Sequence, residues 1–255
     1  MVYEDMKDTG KIRVFNLDYD NVALDQAVDR LELFISRGQP HKVFTTSAEL
    51  IVRAQKEPNI KSAYESADLL TIDSRVVYLA ARLLGRPFVA SVSAVGLMIR
   101  FIERTFNKGY RLYFLGARQD VLEKAVFNLR KSYPGINIVG AHHGYFKDDE
   151  DIVLGQIIKA RPDVVFVGMS SPLKEDFITR NYQKLGVAVL VGVGGGIDIL
   201  GGYCKLAPKW VTMCAMEWFY RLIQEPKRLW KRYLVTNIAF LWLVFKELFK
   251  KKQPI

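Results

Sequence analysis

Cysteine is scarce in this chain of 255 residues: only Cys204 and Cys214 are present. Two cysteines exclude a disulfide framework, and their spacing is not that of a zinc site. They read as reduced packing thiols of a cytosolic protein. No repeat or low-complexity segment occurs, so a repeat array is excluded. Residues 1–11 are polar and mixed in charge, so no signal peptide is expected before the first strand. A full GxGxxG or P-loop is missing as well. So is an uninterrupted membrane span: Leu229–Phe249 is apolar overall but carries four interior charges.

Half of the residues are hydrophobic, which suits a globular protein large enough to hold its core without cross-links. The net charge of +10 is concentrated at the C-terminal end, where Glu217–Ile255 holds nine Lys or Arg against three Glu. Nucleic acid, anionic lipid and phosphorylated substrates all attract such a surface.

Strand-like and helix-like segments alternate along the first 200 residues or so. Strands are expected at Lys11–Asn16, His41–Thr46, Leu69–Ile72, Arg111–Leu115, Ile136–Val139, Asp163–Gly168 and Val187–Val193. The alternation implies an α/β fold with a mostly parallel sheet and helices on both faces. Ligands of such sheets bind beyond the carboxyl ends of the strands. After Pro208 the pattern is helical only, with one break at Pro226. Residues 1–209 are therefore assigned to an α/β domain and 210–255 to a helical, basic and apolar appendage.

Candidate chemistry collects at the strand ends. Asp73 closes an apolar strand, where a carboxylate can take a proton from a sugar hydroxyl; as the residue before Ser-Arg-Val-Val it is equally a helix N-cap. Thr45, Thr46 and Ser47 offer hydroxyls, one of which is needed to cap the helix starting at Ala48. Gly116, between a strand and a helix, and Gly194, Gly195 and Gly196, followed by Asp198, let a backbone approach a phosphate or ribose. Asp18-Tyr19-Asp20 has the spelling of a metal-holding DxD but reads as an acidic turn after the first strand. His142 and His143 are adjacent, so their side chains diverge, and no metal site is assigned to them.

The run Glu217–Tyr233 packs five cations and five large aromatics together. Arg221, Arg228, Lys231 and Arg232 are spaced to converge on a diphosphate, where cations can replace a metal in stabilising a departing nucleotide. A solvated helical face or lipid headgroups would also account for them. Trp230, Trp242 and Lys250-Lys251-Lys252 suit a helix lying on an anionic bilayer through residues 229–252. The alternative is a helix packed on the body or on a neighbouring subunit.

Several segments occur together in a characteristic order: Thr45-Thr46-Ser47-Ala48-Glu49, Ala67–Asp73, Leu115-Gly116, Gly140–Phe146, Pro172-Leu173-Lys174-Glu175, Gly192–Asp198, Ala207-Pro208 and Glu217–Arg228. In these the chain resembles the WecG/TagA/CpsF family of bacterial glycosyltransferases over nearly all of residues 11–245. The resemblance implies a Rossmann-like fold and an inverting, metal-independent transfer that uses no cofactor. The donor would be a UDP-sugar and the acceptor a sugar on polyprenyl (undecaprenyl) diphosphate, at the cytoplasmic face of the membrane. It assigns Asp73 as base, Thr45 and Glu175 as substrate contacts, and Arg221 and Arg228 to the donor diphosphate, with Lys231 or Arg232 as the next cation. It also implies that the appendage closes over the site and seats a peripheral enzyme on the bilayer, and that homo-oligomers form. Four residues depart from the family pattern: Ser47 for Asn, Ser74 for Gly, Lys174 for Gln and Leu206 for Arg. A different donor or acceptor sugar would account for them; so would a non-catalytic membrane-associated partner of other polysaccharide enzymes. A nucleic-acid binder is disfavoured because the cationic tail carries no recognisable motif. Removal of everything after about Met216 is expected to leave the body folded and inactive.

Overall fold

The computed structural model describes residues 10–146, 149–224 and 226–250, without the side chains of 209, 213, 227–229, 232 and 250. The chain opens with two short strands, β1 (Lys11–Val14) and β2 (Leu17–Asp20), joined through Phe15 and Asn16 in the left-handed conformation. Then follow α1 (Leu24–Arg37), β3 (His41–Thr46), α2 (Ala48–Ala54), α3 (Pro58–Glu65), β4 (Leu69–Ile72), α4 (Arg75–Leu83) and α5 (Ala94–Thr105). The second half runs β5 (Leu112–Gly116), α6 (Gln119–Ser132), β6 (Ile138–His142), α7 (Glu150–Ala160), β7 (Val164–Gly168), α8 (Leu173–Leu185) and β8 (Val189–Gly192). Four helices complete it: α9 (Gly196–Leu200), α10 (Lys209–Met213), α11 (Glu217–Gln224) and α12 (Pro226–Lys250).

Six strands form one parallel sheet in the order β4-β3-β8-β7-β5-β6. Its central strands are buried on both faces, so they read as continuous Val/Ile/Leu/Phe runs. Alternate residues feed two cores. Phe44, Leu115, Val165 and Leu190 point to the side of α2, α3, α4, α7 and α8; Val43, Phe114, Phe166 and Val191 point to the side of α1, α5, α6 and α9.

Two expectations are corrected here. The first strand does not join the parallel sheet: β1 and β2 pair only with each other, antiparallel, from Lys11↔Asp20 to Val14↔Leu17. Asp18-Tyr19-Asp20 is therefore strand, not turn. Its carboxylates are spoken for, Asp18 by Arg13 at 2.7 Å and Asp20 by the Leu70 amide, which donates to it at 2.9 Å.

The appendage is docked on the body. Phe240 and Val244 enter the core on the side of α2, with the Phe240 ring 5.3 Å from that of Phe15. The opposite face of α12 exposes Leu234, Ile238, Leu241, Trp242, Phe245 and Phe249, a stripe at helical spacing. The helix is thus apolar on two faces, one packed and one bare. Cutting the chain after Met216 would uncover Phe15 and its neighbours, so the body is not indifferent to the appendage. Among the described residues, no helix is long and apolar enough to cross a membrane.

Candidate active site

Asp73 stands one residue beyond β4, next to the end of β3. Its backbone is fixed from two sides: its amide donates to Thr46 O at 2.9 Å, and its carbonyl accepts from Ser91 Oγ at 3.0 Å. The cap alternative has a structural answer. Ser74, the residue after it, caps α4 by accepting from the Val77 amide at 3.4 Å, which leaves the Asp73 carboxylate for other partners.

Those partners come from four directions. The Thr45 hydroxyl donates to the Asp73 carboxylate from β3, and the Ala94 amide donates from the first turn of α5. Lys174, from α8, and Arg221, from α11, supply positive charge. Burial pushes the Asp73 carboxyl above its ordinary value, against the pull of Arg221, Lys174, Thr45 and Ala94. Part of its surface reaches solvent, yet burial outweighs these partners.

Glu217 is the residue that the sequence did not single out. It occupies the first turn of α11, four residues before Arg221 and so on the same helical face. Burial raises its carboxyl, opposed by a hydrogen bond with Thr212; the nearby Asp73 carboxylate raises it further and Arg221 opposes that. Asp73, Arg221 and Glu217 thus form one electrostatic cluster that joins the sheet edge to the appendage. Only the presence of a Glu one turn before the Arg could have pointed to it.

The other candidates fall into distinct positions. Ser47 caps α2, accepting from the Leu50 amide at 3.4 Å. Thr46 is fully buried and donates to the Tyr19 hydroxyl at 3.2 Å. Glu175 is 1% exposed and has no open face towards a ligand; its Oε1 accepts from the Tyr64 hydroxyl at 2.8 Å and pairs with Lys174. Gly116 is required by packing, because a Cβ there would lie 2.3 Å from the Gly168 carbonyl oxygen. The next amide, Ala117, donates to that same oxygen at 3.2 Å, so this turn is spent on the sheet. Gly194, at φ +51° with open space around it, and the exposed Gly195 lie beyond β8, the strand next to β3. Asp198 sits one turn into α9, its Oδ2 3.6 Å from where a Gly195 Cβ would be. Lys231 is exposed on α12, whereas the side chains of Arg228 and Arg232 lie outside the described residues.

His142 and His143 hydrogen-bond locally: His142 Nδ1 lies 2.9 Å from His143 O, and His143 Nδ1 accepts from the Tyr145 amide at 3.2 Å. Among the described residues, no group of three or more His, Cys, Asp or Glu side chains is disposed to hold a metal ion.

A parallel α/β sheet with a half-buried carboxylate and a hydroxyl at its carboxyl edge, under the charge of an appendage arginine, has the design of a group-transfer enzyme. The chain belongs to the WecG/TagA/CpsF family of glycosyl transferases, whose profile matches residues 12–254. It is 32% identical over 241 residues to the N-acetylglucosaminyldiphosphoundecaprenol N-acetyl-beta-D-mannosaminyltransferase of Bacillus subtilis, covering 94% of this chain and 93% of that one. An enzyme of the same name from Bacillus spizizenii is 30% identical over 86% of this chain and 84% of its own. That of Staphylococcus aureus is 27% identical over 90% and 91%.

Proposed function

We propose that the protein transfers an N-acetylhexosamine from a UDP-sugar to N-acetylglucosaminyl-diphosphoundecaprenol, with inversion and without a metal. The names of the relatives supply the acceptor and make N-acetylmannosamine the first donor to test. The observation that carries the reading is Asp73 at the carboxyl edge of the sheet, with the Thr45 hydroxyl on its carboxylate and Arg221 near enough to act on its charge.

In the reaction Asp73 takes the proton of the acceptor hydroxyl. That oxygen attacks the anomeric carbon from the face opposite the diphosphate. The bond from the anomeric carbon to the phosphate oxygen breaks, and UDP departs with the electron pair. Burial favours this role, since a carboxyl whose proton affinity is raised is a stronger base at working pH. Thr45 orients the carboxylate, and Arg221 neutralises charge developing on UDP. The bare apolar stripe of α12, with Lys246 over the Trp242 ring at 5.4 Å, fits a helix lying in the headgroup region of the bilayer. Such a helix would hold a peripheral enzyme on the cytoplasmic membrane face, where a polyprenyl diphosphate presents its sugar.

The test is UDP release from a panel of UDP-sugars, with and without the lipid-linked acceptor, in detergent and EDTA. Acceptor-dependent release that Asp73→Asn abolishes supports the reading. Silence across the panel from folded protein rejects it.

A further inference from the structure

Helix α4 begins just after Asp73 and has two unlike faces. Val77, Ala81 and Leu84 are buried, in the core that also takes Phe240 and Val244 of α12. On the other side of the helix, Arg75, Leu79, Arg82 and Leu83 share one face at helical spacing. Leu79 and Leu83 are 46% and 66% exposed, and Arg82 is exposed between them. Arg86 and Val89, in the loop that follows, are exposed as well. One exposed leucine needs no explanation, but two of them a turn apart among arginines form a patch.

The charge on this patch has one sign. From Ser74 to Ile102 the chain carries no Asp or Glu. Arg100 finds Asp25 of α1 at 2.8 Å, whereas among the described residues the side chains of Arg82 and Arg86 meet no carboxylate. Arg75 lies over the Tyr78 ring at 4.7 Å, and its Nε has no hydrogen-bond partner. Leucines set among free guanidiniums fit an anionic bilayer, with the leucines in the headgroup layer and the guanidiniums on lipid phosphates. A second copy of the chain fits poorly. A two-fold contact of this face with itself would bring arginines against arginines with no acid between them.

The link to α12 supports the same occupant. The β1–β2 hairpin joins the two: its Phe15 ring packs on Phe240, and its Tyr19 ring meets Phe88, after α4, at 5.9 Å. The Val89 amide donates to Asn21 Oδ1, just after the hairpin, at 2.7 Å. Helices α4 and α12 are thus fixed to one side of the sheet, each with an apolar face turned to solvent.

We propose that the outer face of α4, with Arg86 and Val89 beyond it, is a second contact with an anionic bilayer, beside the bare face of α12. The proposal rests on the membrane-bound reading given above and adds to it a surface of the α/β domain itself. From Arg75 to Leu83 the helix rises about 12 Å, so the lipid contact lies within roughly that distance of Asp73. It sets the height of Asp73 over the lipid surface from which a diphosphate-linked sugar projects.

The experiment is flotation of the full-length protein with vesicles of phosphatidylcholine, alone or mixed with anionic phosphatidylglycerol. The variants are Arg82→Gln/Arg86→Gln and Leu79→Ser/Leu83→Ser, which change only exposed side chains; thermal melting checks that they fold. Loss of the two cations should weaken partition into the anionic vesicles about tenfold to thirtyfold and leave binding to phosphatidylcholine unchanged. Loss of the two leucines should weaken binding to both. Transfer to acceptor dispersed in detergent should keep its wild-type rate in either variant. Partition equal to wild type in both variants leaves the bilayer to α12 and overturns the proposal. So does a dimer in ultracentrifugation that Leu79→Ser/Leu83→Ser dissociates, because the face then belongs to a second copy. A wild type that floats with neither vesicle rejects lipid contact by either helix. Partition that changes as expected in a protein with no transfer rejects the proposed reaction and leaves the lipid contact standing.

Discussion

Asp73 and Arg221, the proposed base and the proposed cation, are held in place by different means. Asp73 follows β4, all four of whose residues are buried, and neighbours β3, all six of whose residues are buried. Arg221 stands on α11, eight residues long, none of them buried. What holds α11 is α12, pinned at a distance by Phe240 and Val244 in the core, together with Gln224, which accepts from the Lys205 amide at 3.2 Å. The proposed base belongs to the fold, whereas the proposed cation arrives by docking. A site divided in this way can be disabled at the sheet without loss of structure, or at the appendage by undocking a helix far from the chemistry.

The largest effect is expected at the sheet. Asp73→Asn keeps the shape and the Thr45 contact but cannot accept the proton, so acceptor-dependent UDP release should fall by about 100- to 10,000-fold. A variant that keeps a tenth of the activity would place the base elsewhere. On the appendage the sharpest contrast lies between adjacent residues. Phe240→Ala empties a packed position and should destabilise the protein by ~3–5 kcal/mol, whereas Leu241→Ala, on the bare face, should change stability by under ~0.5 kcal/mol. Thermal melting in detergent measures both, and equal shifts would mean that α12 is not docked as described.

A third effect sets function against stability. The folded Asp73 carboxyl titrates above its unfolded value, so its contribution to stability is complete below the ordinary value of 3.8 and is lost as pH rises through the folded value. At neutral pH the ionised group costs stability. Asp73→Asn should therefore melt higher than the wild type at pH 7, and the gap should close towards acid pH. A lower melting temperature at pH 7 would show that the bonds to the carboxylate outweigh its burial. The smallest effect is expected from Glu217→Gln. Removing a negative charge beside Asp73 makes that carboxyl easier to ionise, so the acid limb of the kcat/KM profile should move to lower pH. An unmoved limb would separate Glu217 from the base.

The sheet was legible because strands buried on both faces are spelled as unbroken apolar runs, and Val164–Gly168 cannot be read otherwise. The N-terminal hairpin was not, since Asp18-Tyr19-Asp20 looks like a turn until the Asp20 carboxylate finds the Leu70 amide fifty residues away. Helix α3, short and opened by Pro58, also escaped, because eight residues with only Ile60, Ala63 and Tyr64 buried give too weak a periodicity. Asp73 and Thr45 could be singled out from their place at strand ends, but setting aside the cap alternative needed Ser74 to be seen holding the Val77 amide. Glu217 was given no role for a different reason: the Asp73 carboxylate that raises its own carboxyl lies far away in the chain. In α12, the run Ile238–Phe245 is apolar throughout. Only the packing of Phe240 and Val244 against the body tells the docked face from the bare one.

The most direct test of the divided site is a double-mutant cycle in acceptor-dependent transfer with Asp73→Asn, Arg221→Ala and the pair. If base and appendage cation serve one transition state, each single change lowers kcat severely and the pair loses little more than Asp73→Asn alone. Full activity in Arg221→Ala, or losses that multiply in the pair, would contradict the account.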